Sequence, residues 1–282
     1  MPNWCSTSYN MCFDSKATAD KANSILEYFQ SNPLYEYLSG FGHSWLGNII
    51  EFFGLSVTDN TFSVSCRGEI NDWWHDERLI RIDTESAWTL MPDALLLFRM
   101  LGTCDIGYEA EEEGCDVFLN DGTIYDDEWM YEVEDHRDYL STDAMSSLLK
   151  QLYEAEGFSF EADKSLTELV SFYDNHTERE DYFSIHKFDA VPLEELTSFS
   201  LEQAKERIKS SPIPVYEVRY KKDGEEYRTF VGVSDKERFM QAIDKLREAG
   251  YEMVSFTPCK KGRTAFELWL ESTDRVREAA AV

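Results

Sequence analysis

The groups in this sequence able to do chemistry are five histidines, six cysteines and 55 acidic residues. A tetrahedral zinc site needs four nitrogen or sulfur ligands, usually in close pairs. His43, His75, His136, His176 and His186 have no such neighbours. Cys5, Cys12, Cys66, Cys104, Cys115 and Cys259 are scattered, with no CxxC pair. The segment Trp73-Trp74-His75-Asp76-Glu77 brings one imidazole and two carboxylates together, and its composition reads as an exposed turn between strands. Phosphate cradles require glycines at fixed intervals so that backbone N–H groups can approach the ligand. Neither a GxGxxG nor a P-loop pattern occurs, and Gly40 with Gly42 reads as a loop. No GxSxG elbow presents a nucleophile, and cysteines in apolar, strand-like surroundings keep their thiols protonated. The runs Glu111-Glu112-Glu113 and Asp126-Asp127-Glu128 concentrate carboxylates. Consecutive residues of a strand point to opposite sides, so such runs do not converge on one ion. The spaced acidic pattern of a calcium loop is also missing. The expectation is a chain that is not an enzyme and holds no metal and no cofactor. A site assembled from distant residues is the alternative.

What the side chains do supply is charge. The 282 residues carry a formal charge of -28. It is unevenly spread: residues 1–100 carry -7, residues 101–200 carry -22, and residues 201–282 carry +1. A negative field of this size opposes nucleic acids and anionic membranes and favours a basic protein surface. Solubility alone is the plainer reading. The apolar stretches, such as Ala94–Phe98, fall far short of the roughly 18 residues a membrane span needs. The opening residues lack a basic segment followed by an apolar one, which points to the cytosol and reduced thiols.

The elements that must position these groups follow from periodicity. Asn3–Phe13 reads as a strand. Asp14 or Ser15 caps a helix with Ala22, Ile25, Leu26 and Phe29 on one face, ended by Asn32-Pro33. Leu46–Phe53 is a short helix. Thr61–Ile70 and Leu79–Trp88 form two strands about a polar turn at Asn71–Glu77, and a helix runs from Pro92-Asp93 to Leu101. Cys104–Glu112 and Asp116–Leu119 are further strands, the second ending at the turn Asn120-Asp121-Gly122; Val133–Asp138 fades into a charged stretch. Helices at Ser141–Glu156 and Ser165–Asn175 and a strand at Tyr182–Phe188 fill an acidic connector. A capping box at Ser200 and Gln203 opens a basic helix. Val215–Tyr220 and Tyr227–Val233 form a hairpin. Ser234 with Glu237 caps a helix carrying Phe239, Ala242, Ile243 and Leu246, and Tyr251–Thr257 and Ala265–Leu270 are strands. The fold class is α+β. Residues 1–138 follow the ferredoxin-like order, 139–199 connect, and 200–282 form a smaller β-β-α-β-β module.

The opening Met1-Pro2-Asn3-Trp4-Cys5 resembles the start of the YubB-like proteins, a plasmid- and phage-borne family with a ferredoxin-like domain. Thr84-Glu85-Ser86-Ala87-Trp88 with Met91-Pro92 is similar to that family's aromatic-then-proline segment. Tyr108-Glu109-Ala110-Glu111-Glu112-Glu113-Gly114 resembles its acidic strand. The likeness covers roughly residues 1–130 and implies the fold and a mobile-element origin; it transfers no functional residue.

Two functions are expected above an enzyme. The first is an inhibitory binding protein of a phage or plasmid, mimicking nucleic acid to occupy a basic groove on a host defence protein such as a restriction or CRISPR nuclease. Its acidic face would comprise Glu109, Glu111, Glu112, Glu113, Asp116, Asp126, Asp127, Glu128, Glu132, Glu134, Asp135 and Asp138. Trp73 and Trp74 are candidate aromatic anchors, since adjacent residues in a polar turn are not both buried on one side. Trp88 and Trp269 read as core. The second function is a regulatory or scaffold module in which residues 200–282 bind a partner or another copy.

Overall fold

A computed structural model describes residues 3–58, 66–112, 114, 117–133, 136–177 and 183–280. The chain opens with strand β1 (Trp4–Phe13) and helix α1 (Lys16–Ser31). Ser15 caps α1 by accepting the Thr18 N–H, and Ala19, Ala22, Ile25, Leu26 and Phe29 are its buried stripe. Helix α2 (Leu46–Phe53) is buried on every side, its polar residues Asn48 and Glu51 included. Strands β2 (Gly68–Asp76) and β3 (Leu79–Ala87) form a hairpin. Short helix α3 (Asp93–Leu96) continues as a 3-10 turn into strand β4 (Cys104–Glu112). These four strands lie in the order β2-β3-β1-β4, every neighbour antiparallel, which is the split β-α-β-β-α-β plan. Strand β5 (Val117–Asn120) extends the sheet beyond β4.

Strands β6 (Trp129–Val133) and β7 (His136–Leu140), helices α4 (Thr142–Glu156) and α5 (Leu166–His176), and strand β8 (Phe183–Lys187) come next. They make a separate three-stranded sheet, order β7-β6-β8. Their core is Trp129, Met145, Leu149, Tyr153, Leu169, Val170, Tyr173 and Ile185. The chain then rejoins the large sheet at β9 (Asp189–Ala190), parallel to β5, which completes six strands. Short helix α6 (Leu193–Leu196) and helix α7 (Leu201–Ser210) lead to the hairpin β10 (Val215–Lys222) and β11 (Glu225–Gly232). Helix α8 (Lys236–Glu248), strand β12 (Glu252–Pro258) and helix α9 (Ala265–Ala280) follow.

The α+β class and the strand order agree with the sequence reading; the module boundaries do not. The boundary at 138/139 runs through β7, and what reads as a connector is part of an insertion, residues 125–188, with its own core. The boundary at 199/200 separates nothing. Tyr220, Phe230, Phe239 and Trp269 share one continuous core with Phe29, Tyr35, Phe52 and Phe53. Tyr35 Oη donates to Phe230 O at 3.1 Å across that junction. Glu51, 3% exposed, accepts from Arg238 Nη2 at 2.6 Å and from the Ser234 N–H at 3.2 Å. This demand moves the α8 cap from Ser234 to Asp235, whose side chain accepts the Arg238 N–H.

Two elements differ in kind from expectation. Residues 265–270 begin α9 and are not a fourth strand of a β-β-α-β-β module. Thr264 accepts the Glu267 N–H at 3.1 Å and Glu267 accepts the Thr264 N–H at 3.0 Å, a capping box that fixes a helix start. The supposed turn at Asn71–Glu77 is mostly β2; the reversal is Glu77-Arg78, with Glu77 at φ 48. Thr61–Ser65 lie outside the described residues.

Candidate functional site: an acidic sheet face

Alternation along β1 decides what the large sheet shows on each side. Cys5, Thr7, Tyr9, Met11 and Phe13 are buried beneath α1, so Trp4, Ser6, Ser8, Asn10 and Cys12 point to the opposite face. Register extends this face across the strands. One row reads Glu69, Glu85, Ser6, Glu111 from β2 to β4, and the next reads Asp72, Asp83, Ser8, Glu109. A third reads Trp74, Arg81, Asn10, Gly107. Six carboxylates therefore lie in two neighbouring rows, on strands about 4.8 Å apart.

Counter-ions reach only part of the face. Arg81 Nε meets Asp83 at 3.2 Å, and the Ser8 hydroxyl donates to Asp83 at 2.5 Å. From the insertion, Arg137 of β7 binds Glu111 of the sheet, while its Nη2 meets Glu132 of β6 at 2.7 Å. Tyr139 Oη donates to Glu111 at 2.8 Å. Burial opposes the Arg137 charge, yet the Glu132 hydrogen bond and the Glu111 charge hold its pKa above the ordinary value. Glu69 and Glu85, directly opposite one another, have no ion pair with any described residue. Burial and the Glu85 charge raise the Glu69 carboxyl above its ordinary value.

Beneath Arg137 and Tyr139 lies a cavity of about 260 Å³, bordered by Ser8, Arg81, Asp83, Glu109 and Glu111. Glu109 is its most perturbed acid. Burial, then the charges of Glu111 and Asp127, push its carboxyl up to about 7 against the pull of Arg81 and Arg137. Its Oε2 is buried without a hydrogen-bond partner among the described residues, as is the Tyr125 hydroxyl. Ile124 covers the neighbouring sheet at Gly107, where a Cβ would sit 2.4 Å from the Ile124 side chain. Larger hollows, of about 430, 520 and 550 Å³, lie elsewhere on the body and do not touch this face.

The acids singled out from sequence divide into distinct groups. Glu109, Glu111 and Glu132 are drawn into the contact between sheet and insertion. Glu112 faces the other way, is 6% exposed, and accepts the Gly114 N–H. Asp126, Glu128 and Asp138 are exposed and Asp127 half-buried; Glu128 accepts from the Thr142 hydroxyl and Asp138 pairs with His136. Glu113, Asp116, Glu134 and Asp135 lie outside the described residues. Trp73 packs against the core with its Nε1 donating to Asn23 at 3.0 Å, while Trp74 is 53% exposed on the acidic face. Trp269 is core as expected. Trp88 is not: past the end of β3 the chain turns through φ 66 and leaves the indole 46% exposed beneath Arg67.

Sequence reasoning missed Glu69, Asp72, Asp83 and Glu85. Their signal is the alternation Ile80, Ile82, Thr84 against Arg81, Asp83, Glu85. The insertion adds to the field. Residues 125–188 hold 17 acids and five bases, a formal charge of -12. Asp126, Asp143 and Glu154 are exposed there without an ion pair to a described residue.

Groups for chemistry stay apart. His43 pairs with Glu36, His75 with Asp20 and His136 with Asp138; His176 bonds Phe172 O and His186 stacks on Phe118. Burial pushes the Cys5 and Cys66 thiols up to about 11 and Cys104 up to about 12. Among the described residues no group of three or more His, Cys, Asp or Glu is arranged to hold a metal ion, and no helix is long and apolar enough to cross a membrane. No known protein family, curated protein or solved structure matches the chain.

Proposed function

We propose that this protein is a non-catalytic cytosolic binding protein that docks its acidic sheet face and acidic insertion on a basic macromolecular surface. The surface best suited is one that otherwise holds nucleic acid, as on a host defence nuclease. The protein would then be an inhibitor of phage or plasmid origin, in keeping with the YubB-like opening residues. The observation that carries the reading is the Glu69–Glu85 pair. Like charges directly opposite on adjacent strands destabilise a sheet, and this sheet keeps them with no ion pair to any described residue. An external lysine or arginine removes that repulsion on binding. The same field speeds encounter with a cationic partner and weakens with salt.

The test compares wild type with the Glu69→Gln/Glu85→Gln double variant. Relief of repulsion raises the stability of the free variant by roughly 0.2–1 kcal/mol. Capture of basic partners from a host lysate, identified by mass spectrometry at low and high salt, falls in the same variant. Identical capture with an identical salt response removes the proposal.

A further inference from the structure

The insertion meets the body through a narrow joint. Its chain crosses on either side of residues 125–188, and among the described residues the buried apolar cluster there is Phe118, Met130 and Phe188, with His186 stacked on Phe118 at 3.8 Å. Two hydrogen bonds cross it: Asn120 Nδ2 to Asp127 O at 2.6 Å and the Tyr125 N–H to Asp121 Oδ1 at 2.9 Å. The insertion's own core is larger, with eight buried residues against the three at the joint. Away from the joint, β7 reaches the sheet through polar groups: Arg137 on Glu111, and the Tyr139 hydroxyl on Glu111 at 2.8 Å.

We infer that β7 is a latch: its Arg137 sits on the acidic sheet face as an internal cation, and a cationic partner must displace it to reach Glu109 and Glu111. The inference rests on the binding reading above and adds a device to it. A small apolar joint is suited to a hinge, because turning it uncovers little apolar surface. A charge-assisted contact at the far end is suited to exchange, because an incoming guanidinium replaces it in kind. Glu132 travels with Arg137, being its cross-strand neighbour on β6, so the latch keeps one counter-ion when it lifts. The sheet is left with Glu109, Glu111 and Asp83 facing outward, continuous with the uncovered Glu69–Glu85 pair.

The first arm of the test needs no partner. Ser8 lines the cavity beneath the latch, so a Ser8→Cys protein is treated with iodoacetamide and the site followed by peptide mass spectrometry. Adding Arg137→Ala, or the milder Tyr139→Phe, is expected to speed alkylation at position 8 by on the order of tenfold, the scale of one charge-assisted hydrogen bond. The second arm titrates a hexa-arginine peptide. Arg137→Ala is expected to bind it several-fold more tightly than Lys150→Ala, which removes an equal charge from exposed α4. Equal alkylation rates with and without Arg137 overturn the latch and leave the binding reading standing. So does equal affinity of the Arg137 and Lys150 variants. Failure of every form to bind the peptide overturns both together.

Discussion

Replacing Arg238 by alanine probes what joins the two ends of the chain. Glu51 is 3% exposed and its carboxylate meets Arg238 Nη2 at 2.6 Å. Removing one partner of a buried ion pair costs roughly 3–5 kcal/mol, because the survivor is left charged and dry. Here Ser234 still donates to Glu51 from its N–H and hydroxyl, which places the loss near the lower end. The guanidinium also stacks over Trp45 at 4.4 Å, and losing this adds about 0.5–1 kcal/mol. The expected deficit at neutral pH is therefore about 3–4 kcal/mol in urea denaturation. Its pH dependence identifies its origin. Burial holds the Glu51 carboxyl above its ordinary value of 4.5 even with Arg238 beside it; without Arg238 it rises further. An acid whose folded pKa is raised binds its proton more readily folded than unfolded. Its stability contribution is then greatest below the unfolded value and is lost as pH rises through the folded one. The deficit of Arg238→Ala relative to wild type should thus shrink on acidification toward 4.5. A deficit below about 1 kcal/mol, or one indifferent to pH, refutes the assignment of a stabilising buried pair.

Glu109→Gln tests the polar cavity by the same linkage. With a folded value of about 7 against an ordinary 4.5, wild type loses stability as pH rises through that window, and the glutamine variant does not. Allowing for screening of this partly exposed group, the variant should gain about 1 kcal/mol over wild type above the window, read by paired urea melts. Thr264→Ala removes the hydroxyl that caps α9, costing about 1 kcal/mol and lowering the thermal midpoint by roughly 2–4 °C in circular dichroism.

Local rules carried far into this fold. The stripe on α1, the caps at Ser15 and Ser200, and the antiparallel strands β1 to β4 all follow from spacing and side-chain type. What local rules lacked was the partner of each apolar face. Residues 264–270 hold both a strand-like apolar run and the Thr264–Glu267 box, and the box decides because it satisfies backbone donors that a strand start would leave open. The insertion was hidden for a related reason. Its strands β6 and β8 are separated by two helices, so their pairing is visible only once the chain has closed on itself.

The candidate site shows the same division between near and far. Runs of acid drew attention to residues 109–138, but adjacency in sequence sends neighbouring side chains to opposite faces: Glu112 went inward while Glu109 and Glu111 went to the opposite face, under the insertion. The charges that gather on the sheet are instead two residues apart along each strand and one strand apart across it. Nothing in a linear count of charge sets Glu69 opposite Glu85, because a bulge between Ile70 and Asp72 governs how the rest of β2 aligns. Arg137 is equally invisible beforehand, one cation within a long acidic stretch. In the fold its position gives it weight: it joins the insertion to the sheet at the place where the acidic face would otherwise be open. Total charge thus indicates what class of partner is attracted, whereas register and the reach of one arginine decide which carboxylates remain available to receive it.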